Sequence, residues 1–194
     1  KTGKWTYLYP NGKVQQEFVY ENDKPIGTYK KYYENGVISE EGQYKDGLLD
    51  GDVKLYYDSG KIASKVNFIR NSKEGEAISY YENGNKQEEV FVINELFDGE
   101  AFVYYPSGKL RNKSFFKDGK REGESLTYYE NGKLKKKILY KNGVRNGEAA
   151  EYYESGIIKQ KAYFINDKLE KEDLYYDEKG NLTKTEIYKN GIKQ

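Results

Sequence analysis

The chain has 194 residues and contains neither His nor Cys, which excludes zinc sites of the usual ligand types, Cys and Ser-His nucleophiles, and disulfide bonds. Its 33 Lys and Arg residues are balanced by 32 Asp and Glu residues, so the protein has no overall field that attracts nucleic acid or anionic lipid. No apolar run approaches the roughly 18 to 20 residues that span a bilayer, and the N-terminus lacks the apolar region of a signal peptide.

An internal repeat organises the chain from its N-terminus onward. The signature Tyr-Tyr-Glu-Asn-Gly or a close variant recurs with a spacing of 24 residues, and its glycines are Gly12, Gly36, Gly60, Gly84, Gly108, Gly132, Gly156 and Gly180. A second series keeps the same spacing: Gly3, Gly27, Gly51, Gly75, Gly99, Gly123 and Gly147. We therefore define eight repeats that start near residues 3, 27, 51, 75, 99, 123, 147 and 171, with Gly3 as position 1. The last repeat is expected to carry one extra turn residue within 175–180, compensated by one fewer before it.

Each repeat contains two turn signals, which predict two strands. The first includes the glycine at position 10, and the second is an aromatic-Lys-Asn/Asp-Gly segment such as 140–143. Asn-Gly fits either a two-residue type I′ turn or a type I turn followed by a glycine bulge. Pro10 and Pro106 favour the second alternative at the first turn, because proline suits the second residue of a type I turn. Position 7 should then pair with position 11, and position 6 with position 12.

This pairing predicts that even positions share one face of the sheet throughout each repeat. Positions 4, 6, 12, 16, 18 and 22 are mostly apolar, whereas positions 11, 13 and 15 are mostly polar. We expect one apolar face and one wet face, as antiparallel sheets allow. The predicted fold class is all-β: a tandem array of eight 24-residue β-hairpin repeats forming one long twisted antiparallel sheet, in a single repeat domain over residues 1–194. The glycine at position 1 is interpreted as a bulge or a close backbone approach.

The repeat resembles a known family. Its segment Gly-Glu-x-x-x-Tyr-Tyr-Glu-Asn-Gly-Lys-Leu, followed by Tyr-Lys-Asn-Gly and Gly-Glu, is similar to the variant MORN repeat of bacterial YwqK-type antitoxin-like proteins. The similarity spans essentially all of the chain and is strongest in segments such as 123–146, while Asn94-Glu95 departs from the pattern at its second turn. The resemblance implies a MORN-like hairpin-repeat sheet that binds proteins or membrane surfaces and has no catalytic residues to carry over.

Two sets of residues are candidates for partner binding. The tyrosines at position 7 are predicted to lie on the wetter face, and Tyr suits interfaces because it offers a large amphipathic surface. The basic residues at positions 13 and 15 are predicted to form a ladder beside them, in repeats 5 to 7. The candidate residues are Tyr81, Tyr105, Tyr129, Tyr153, Arg111, Lys113, Lys135, Lys137, Lys159 and Lys161. The structural alternatives are a tyrosine ladder that stabilises adjacent hairpins and a solvated lysine face.

The charge distribution suggests the chemistry of a partner. Residues 74–100 include eight acidic residues and one basic residue, whereas residues 109–145 include twelve basic and four acidic residues. The basic stretch predicts an acidic protein partner or anionic head groups. Nucleic acid is not expected, because the neighbouring acidic repeats would repel phosphate.

Catalysis is not expected, and neither a metal nor another cofactor is predicted. Adjacent carboxylates such as Glu40 and Glu41, or Glu88 and Glu89, point to opposite faces of a strand and cannot act together as general acid and base. The sequence thus predicts a non-enzymatic binding scaffold. The alternatives are a cytoplasmic antitoxin that neutralises a cognate toxin, and a structural module that self-associates. The chain lacks Met even at position 1, so we expect a leader or further sequence upstream; the compartment stays open, with a secreted or surface location favoured.

Overall fold

The computed structural model describes all 194 residues, which form eighteen β-strands and no helix. The chain folds into two compact units, Lys1–Leu96 and Phe97–Gln194, which we call the N-terminal unit and the C-terminal unit. No helix with the length and apolarity needed to cross a membrane is present. The single repeat domain expected over residues 1–194 stays a prediction.

Each repeat supplies two antiparallel strands. The strands of the N-terminal unit are β1 (Gly3–Leu8), β2 (Val14–Glu21), β3 (Lys24–Tyr32), β4 (Ile38–Lys45), β5 (Leu48–Leu49), β6 (Gly51–Tyr56), β7 (Ile62–Ile69), β8 (Ser72–Tyr80) and β9 (Lys86–Ile93). Those of the C-terminal unit are β10 (Leu96–Tyr104), β11 (Leu110–Lys117), β12 (Lys120–Tyr128), β13 (Leu134–Lys141), β14 (Val144–Tyr152), β15 (Ile158–Ile165), β16 (Lys168–Tyr176), β17 (Leu182–Lys189) and β18 (Ile192–Lys193). Within each unit, consecutive strands pair antiparallel, except that β5 and β6 both pair with β4. The predicted fold class, an all-β array of 24-residue hairpin repeats in an antiparallel sheet, is confirmed.

The first turn of each repeat has the predicted form. In repeat 1, the Gly12 amide donates to the Tyr9 carbonyl at 2.9 Å, and the Tyr9 amide donates to the Lys13 carbonyl at 2.8 Å. Gly12 has a φ of 82°, which is the left-handed conformation that a glycine bulge requires. Leu8 pairs with Val14, so positions 6 and 12 are partners as predicted.

The eighth repeat keeps this geometry with a different residue at position 7. The Gly180 amide donates to the Asp177 carbonyl at 3.0 Å, and the Asp177 amide donates to the Asn181 carbonyl at 3.0 Å. Asp177 therefore takes the place that tyrosine holds elsewhere. The expectation of an extra turn residue here is wrong, because the substitution leaves the number of residues in the turn unchanged.

The second turn of each repeat takes the other alternative. Asn142 and Gly143 both have positive φ values, 52° and 87°, and the flanking residues Lys141 and Val144 pair directly. Two central residues with positive φ define a type I′ turn, whose twist matches that of the strands it joins.

The glycines at position 1 lie at an irregularity between repeats, as predicted. Phe115 pairs with Glu122 and Lys113 pairs with Leu126, so Ser114 lies opposite three residues of β12 that begin at Gly123. Gly123 has a φ of 71°. In the eighth repeat, a lysine occupies the position: Lys171 has a φ of 66°, a conformation that costs a side-chain-bearing residue free energy.

A β-bulge at position 13 reverses the alternation of faces within every hairpin. In repeat 1, Tyr7 pairs with Gln16 and Leu8 pairs with Val14, which leaves Gln15 without a partner. The same shift recurs in the C-terminal unit, for example between Thr127 and Tyr128. Because one extra residue changes the parity of a strand, the expectation that even positions share one face throughout is wrong beyond position 13.

The observed pairing defines two faces. Face 1 carries positions 3, 5, 14, 16 and 18, and face 2 carries positions 2, 4, 6, 12, 15 and 17. All buried residues except Ile78 lie on face 1, at positions 3, 16 and 18; they are Tyr29, Val53, Val90, Val92, Ala101, Ser114, Ala149, Asp173 and Glu186. The two compact units thus bury side chains mainly on face 1, while face 2 stays half-exposed.

Tyr29 is the largest fully buried side chain, and it fits because position 16 of the same repeat is a glycine. Its ring stacks on Phe18 with a centroid separation of 5.4 Å, and its hydroxyl donates to Glu40 Oε1 at 2.7 Å. A Cβ added to Gly42 would lie 2.8 Å from Tyr29 Cε1 and 2.9 Å from Val53 Cγ2. Gly42 is therefore needed for space rather than for backbone conformation.

We predict that Gly42→Ala destabilises the protein by about 1–3 kcal/mol through overpacking against Tyr29. Chemical denaturation measures the free energy of unfolding of Gly42→Ala, of Tyr29→Val and of the double variant. Valine is chosen because it is the residue at position 3 of the next repeat. The coupling should be favourable, because the smaller side chain makes room for the new methyl group. Additive effects of the two changes would contradict this account of Gly42.

Two buried carboxylates face each other in the eighth repeat. Asp173 pairs directly with Glu186 across β16 and β17, at positions that hold small or apolar residues in most repeats. Asp173 accepts hydrogen bonds from Gln160 and from the Tyr175 hydroxyl. The Lys184 and Lys193 ammonium groups, together with the Tyr188 hydroxyl, hold the pKa of Glu186 at about 2, well below its ordinary value of 4.5.

Because the folded-state pKa of Glu186 is depressed, its contribution to stability is present above the unfolded value of 4.5 and is lost as the pH falls toward about 2. We predict that Glu186→Gln lowers the Tm at neutral pH, and that the difference from wild type shrinks as the pH falls through this window. Thermal denaturation across the pH range measures it. A difference that is independent of pH would contradict the assignment.

Candidate functional site

Within each unit, tyrosines at position 7 connect successive repeats. The hydroxyl of Tyr129 donates to the carbonyl of Tyr152 at 2.6 Å, and that of Tyr105 donates to the carbonyl of Tyr128 at 2.7 Å. The same bond recurs from Tyr153 in this unit and from Tyr9, Tyr33 and Tyr57 in the N-terminal unit. These side chains are half-buried, as is that of Tyr81. The geometry gives the tyrosines with this bond the structural role that was expected as an alternative, and the role of the column in partner binding stays a prediction.

The basic ladder expected on one face is divided between two faces, because the bulge at position 13 separates its members. Arg111, Lys135 and Lys159, at position 13, form the first row. Lys159 Nζ lies 2.8 Å from the carboxylate of Glu151, a position 5 residue of face 1, and Lys135 Nζ lies 5.2 Å from the centroid of the Tyr129 ring. This row therefore lies on face 1, beside the position 7 tyrosines.

The second row contains Lys113, Lys137 and Lys161, at position 15, and it lies on face 2. Lys113 pairs with Glu100, and Lys137 pairs with Glu124; each glutamate is at position 2 of the same repeat. The ion pair with Glu124 raises the pKa of Lys137. The prediction of a single ladder formed by positions 13 and 15 is wrong in this respect, whereas the role of these residues in binding stays a prediction.

The tyrosines at position 6 lie beside the second row, and their environment depends on the residue at position 15 of the preceding repeat. In the N-terminal unit, Glu17 accepts a hydrogen bond from the Tyr32 hydroxyl at 2.9 Å, and Glu41 accepts one from the Tyr56 hydroxyl at 2.7 Å. Burial and the bond to Glu41 raise the pKa of Tyr56 to about 12. Position 15 of the preceding repeat supplies the acceptor in both cases.

In repeats 5 to 7, as at Lys65 in repeat 3, position 15 is lysine, so the tyrosine that follows has no carboxylate acceptor there. The hydroxyls of Tyr128, Tyr152 and Tyr176 make no hydrogen bond within the protein. We call these three tyrosines, together with Lys113, Lys137 and Lys161, the Lys–Tyr row. The row presents ammonium and phenol donors on one face, a combination that suits carboxylate ligands.

A hollow of about 450 Å³ lies at the end of the Lys–Tyr row. It lies above Ala150, at position 4 of repeat 7, where the preceding and following repeats have Leu126 and Leu174. The apolar part of its lining includes Tyr152, Tyr163 and Leu174. Ala150 leaves side-chain volume open at this repeat, and hollows of about 470 and 490 Å³ also lie in the N-terminal unit.

Sequence reasoning missed the position 6 tyrosines as candidates for binding and did not single out Ala150. Both signals are visible when the repeats are aligned: position 15 changes from Glu17 and Glu41 to lysine, and position 4 changes from leucine to alanine. No group of three or more Asp or Glu side chains is arranged to hold a metal ion. The arrangement offers charge, hydrogen-bond donors and an apolar recess, which are features of a binding surface.

The fold and the site define a tandem β-hairpin repeat protein with a half-exposed face of charged, phenolic and apolar side chains. The family model described as MORN repeat variant matches seven successive segments, which are residues 1–22, 25–46, 49–70, 73–94, 97–118, 121–142 and 145–166. The chain therefore belongs to the MORN repeat variant family. MORN repeats are non-catalytic modules generally associated with binding. Comparison with curated proteins finds no match.

We predict that Tyr129→Phe lowers the free energy of unfolding by about 0.5–1.5 kcal/mol, because it removes the hydroxyl bond between repeats. Tyr128→Phe is the matched control, since the neighbouring hydroxyl makes no hydrogen bond within the protein, and it should change stability little. Chemical denaturation of both variants tests the structural role of position 7. Equal effects of the two substitutions would contradict it.

Proposed function

We propose that this protein is a binding scaffold for an acidic protein partner, which it contacts through the Lys–Tyr row on face 2 of the C-terminal unit. The observation that carries the proposal is the change at position 15. Glutamates that accept the tyrosine hydroxyls in repeats 1 and 2 are replaced by lysines in the three successive repeats 5 to 7, whereas the N-terminal unit has a single lysine at this position, Lys65. The replacement frees the hydroxyls and reverses the sign of the charge beside them.

Three physical features support an interface at this face. The row is borne by β-strands of an antiparallel sheet, which fix the spacing of its groups. Apolar side chains lie next to it on face 2, among them Phe115, whose side chain is 43% exposed. Exposed aromatic surface flanked by donors is typical of protein interfaces, in which Tyr and other aromatics contribute much of the binding energy.

The lysines are available to a partner at small cost. The ion pairs of Lys113 and Lys137 involve side chains that are 37% exposed or more, and pairs of this kind contribute little to stability. A carboxylate of the partner can therefore replace Glu100 or Glu124 with little net loss. Attraction between the row and an acidic partner should weaken as salt concentration rises.

The resemblance to bacterial YwqK-type antitoxin-like proteins supports a bacterial setting for the proposal. A secreted or surface-associated scaffold is the leading assignment, and a cytoplasmic antitoxin that covers an acidic toxin surface is the alternative. Both require binding of a protein through one face of the repeats. Identification of the adjacent gene and of the sequence upstream of Lys1 would separate them.

We predict that the triple substitution Lys113→Glu, Lys137→Glu and Lys161→Glu abolishes binding to acidic peptides selected from a random peptide library. The matched control makes the same change of charge in the same repeats, but at the residues of the other face: Arg111→Glu, Lys135→Glu and Lys159→Glu. Binding is measured by fluorescence anisotropy at low and high salt, with Tm values confirming that both variants fold.

The control variant should keep most of the affinity. Equal loss in both variants would indicate attraction to net charge alone and would contradict the assignment to face 2. Vesicles of phosphatidylcholine with phosphatidylglycerol form a second arm of the experiment. If the protein binds these vesicles through the row and selects no acidic peptide, a membrane surface replaces the protein partner.

A further inference from the structure

The hollow above Ala150 is partly open to solvent and is large enough to receive one large side chain. Its volume of about 450 Å³ lies within the roughly 300–1,000 Å³ range of ligand clefts. Ile158, Tyr163 and Leu174 contribute to an apolar lining. At Ala150, the repeat leaves a space that Leu126 and Leu174 occupy with their own side chains in the repeats on either side.

The rim of the hollow includes the one lysine of the Lys–Tyr row that lacks an ion pair. Lys113 and Lys137 each pair with the position 2 glutamate of their own repeat, whereas Lys161 is not within ion-pair distance of the equivalent Glu148. Lys161 is also exposed. Its ammonium group can therefore bind a ligand carboxylate without giving up an existing partner.

A second cation borders the hollow in an unusual backbone conformation. Lys171 replaces the glycine of position 1 and has a φ of 66°. Its Nζ lies 3.9 Å from the centroid of the Tyr163 ring, which lines the hollow. Residues held in sparsely populated conformations concentrate at functional sites, and this lysine adds positive charge where the row ends.

We propose that the hollow binds a segment of the protein partner that inserts one large apolar side chain above Ala150 and places an adjacent carboxylate against Lys161. The inference rests on the proposed function and specifies its recognition element. It predicts that a partner is recognised by an acidic residue next to a bulky aliphatic or aromatic residue.

The chemistry of the rim favours a polypeptide as the occupant. Glu148 and Glu172 lie at the hollow together with the lysines, so the rim offers acceptors as well as donors. A peptide segment has backbone amide donors for these carboxylates and a side-chain carboxylate for Lys161. The phosphate groups of lipids have no such donors, and the glutamates would repel them.

The test fills the hollow without changing charge. Ala150→Leu introduces the residue found at position 4 of the repeats on either side, so the repeat geometry accommodates it. Thr6→Leu is the matched control, because it adds leucine at position 4 of the first repeat, in the other unit. The probe is a labelled peptide selected from the library, with derivatives in which its bulky residue is Gly or its acidic residue is Gln.

Ala150→Leu should weaken binding of the selected peptide about tenfold or more, because burial of the bulky side chain is lost. Ala150→Leu should leave the weaker binding of the Gly derivative unchanged. Thr6→Leu should alter the affinity for neither peptide. Lys161→Gln should reduce the affinity for the selected peptide to that for its Gln derivative. Unchanged affinity in Ala150→Leu, or equal affinity for the selected peptide and its Gly derivative, would overturn the proposal.

The outcomes separate the pocket from the proposed function. If the triple lysine variant loses binding while Ala150→Leu retains it, the row binds the partner and the pocket assignment is wrong. If the library yields no peptide that requires the row, both are wrong. If the triple lysine variant and Ala150→Leu both lose binding while Thr6→Leu retains it, the proposed function and the pocket assignment are both supported.

Discussion

The bulge at position 13 determines how the side chains of this protein are distributed between its two faces. A hairpin with an unbroken alternation would place positions 13 and 15 together, and it would group the apolar positions 16 and 18 with position 4. Insertion of one unpaired residue moves positions 16 and 18 to the face that carries position 3. The buried residues of face 1 and the half-exposed Lys–Tyr row of face 2 both follow from this shift, and the 24-residue period reproduces it in every repeat.

The repeats keep their backbone connections while their faces vary. The hydroxyls of position 7 tyrosines donate to the carbonyls of the next repeat in both units, which holds neighbouring hairpins together independently of face chemistry. Substitutions on face 2 are then tolerated, because they alter exposed ion pairs and hydroxyl partners rather than the core. Lysine at position 15 in three successive repeats, together with alanine in place of leucine at Ala150, distinguishes this segment from the other repeats.

The repeat length, the two strands per repeat and the first turn could be predicted because their signals are local: glycine and Asn-Gly mark positions that require positive φ. The bulge could not be predicted, because the residues at position 13, such as Gln15 and Lys135, are ordinary strand residues. A bulge of this kind needs no glycine. The face assignment failed for that reason. The candidate lysines were found from composition, but their separation into two rows depends on the register, and the hydrogen bonds of the position 7 tyrosines depend on the distance between successive repeats.

NMR spectroscopy can test in solution whether lysines two residues apart lie on opposite faces of the sheet. It also tests whether only the lysines at position 15 bind a partner. The protein can be labelled by reductive methylation with ¹³C, its lysine signals assigned by substitution, and a selected acidic peptide added during NMR titration. We expect the signals of Lys113, Lys137 and Lys161 to shift, while those of Lys135 and Lys159 do not. Equal shifts in both rows, or shifts confined to Lys135 and Lys159, would contradict it.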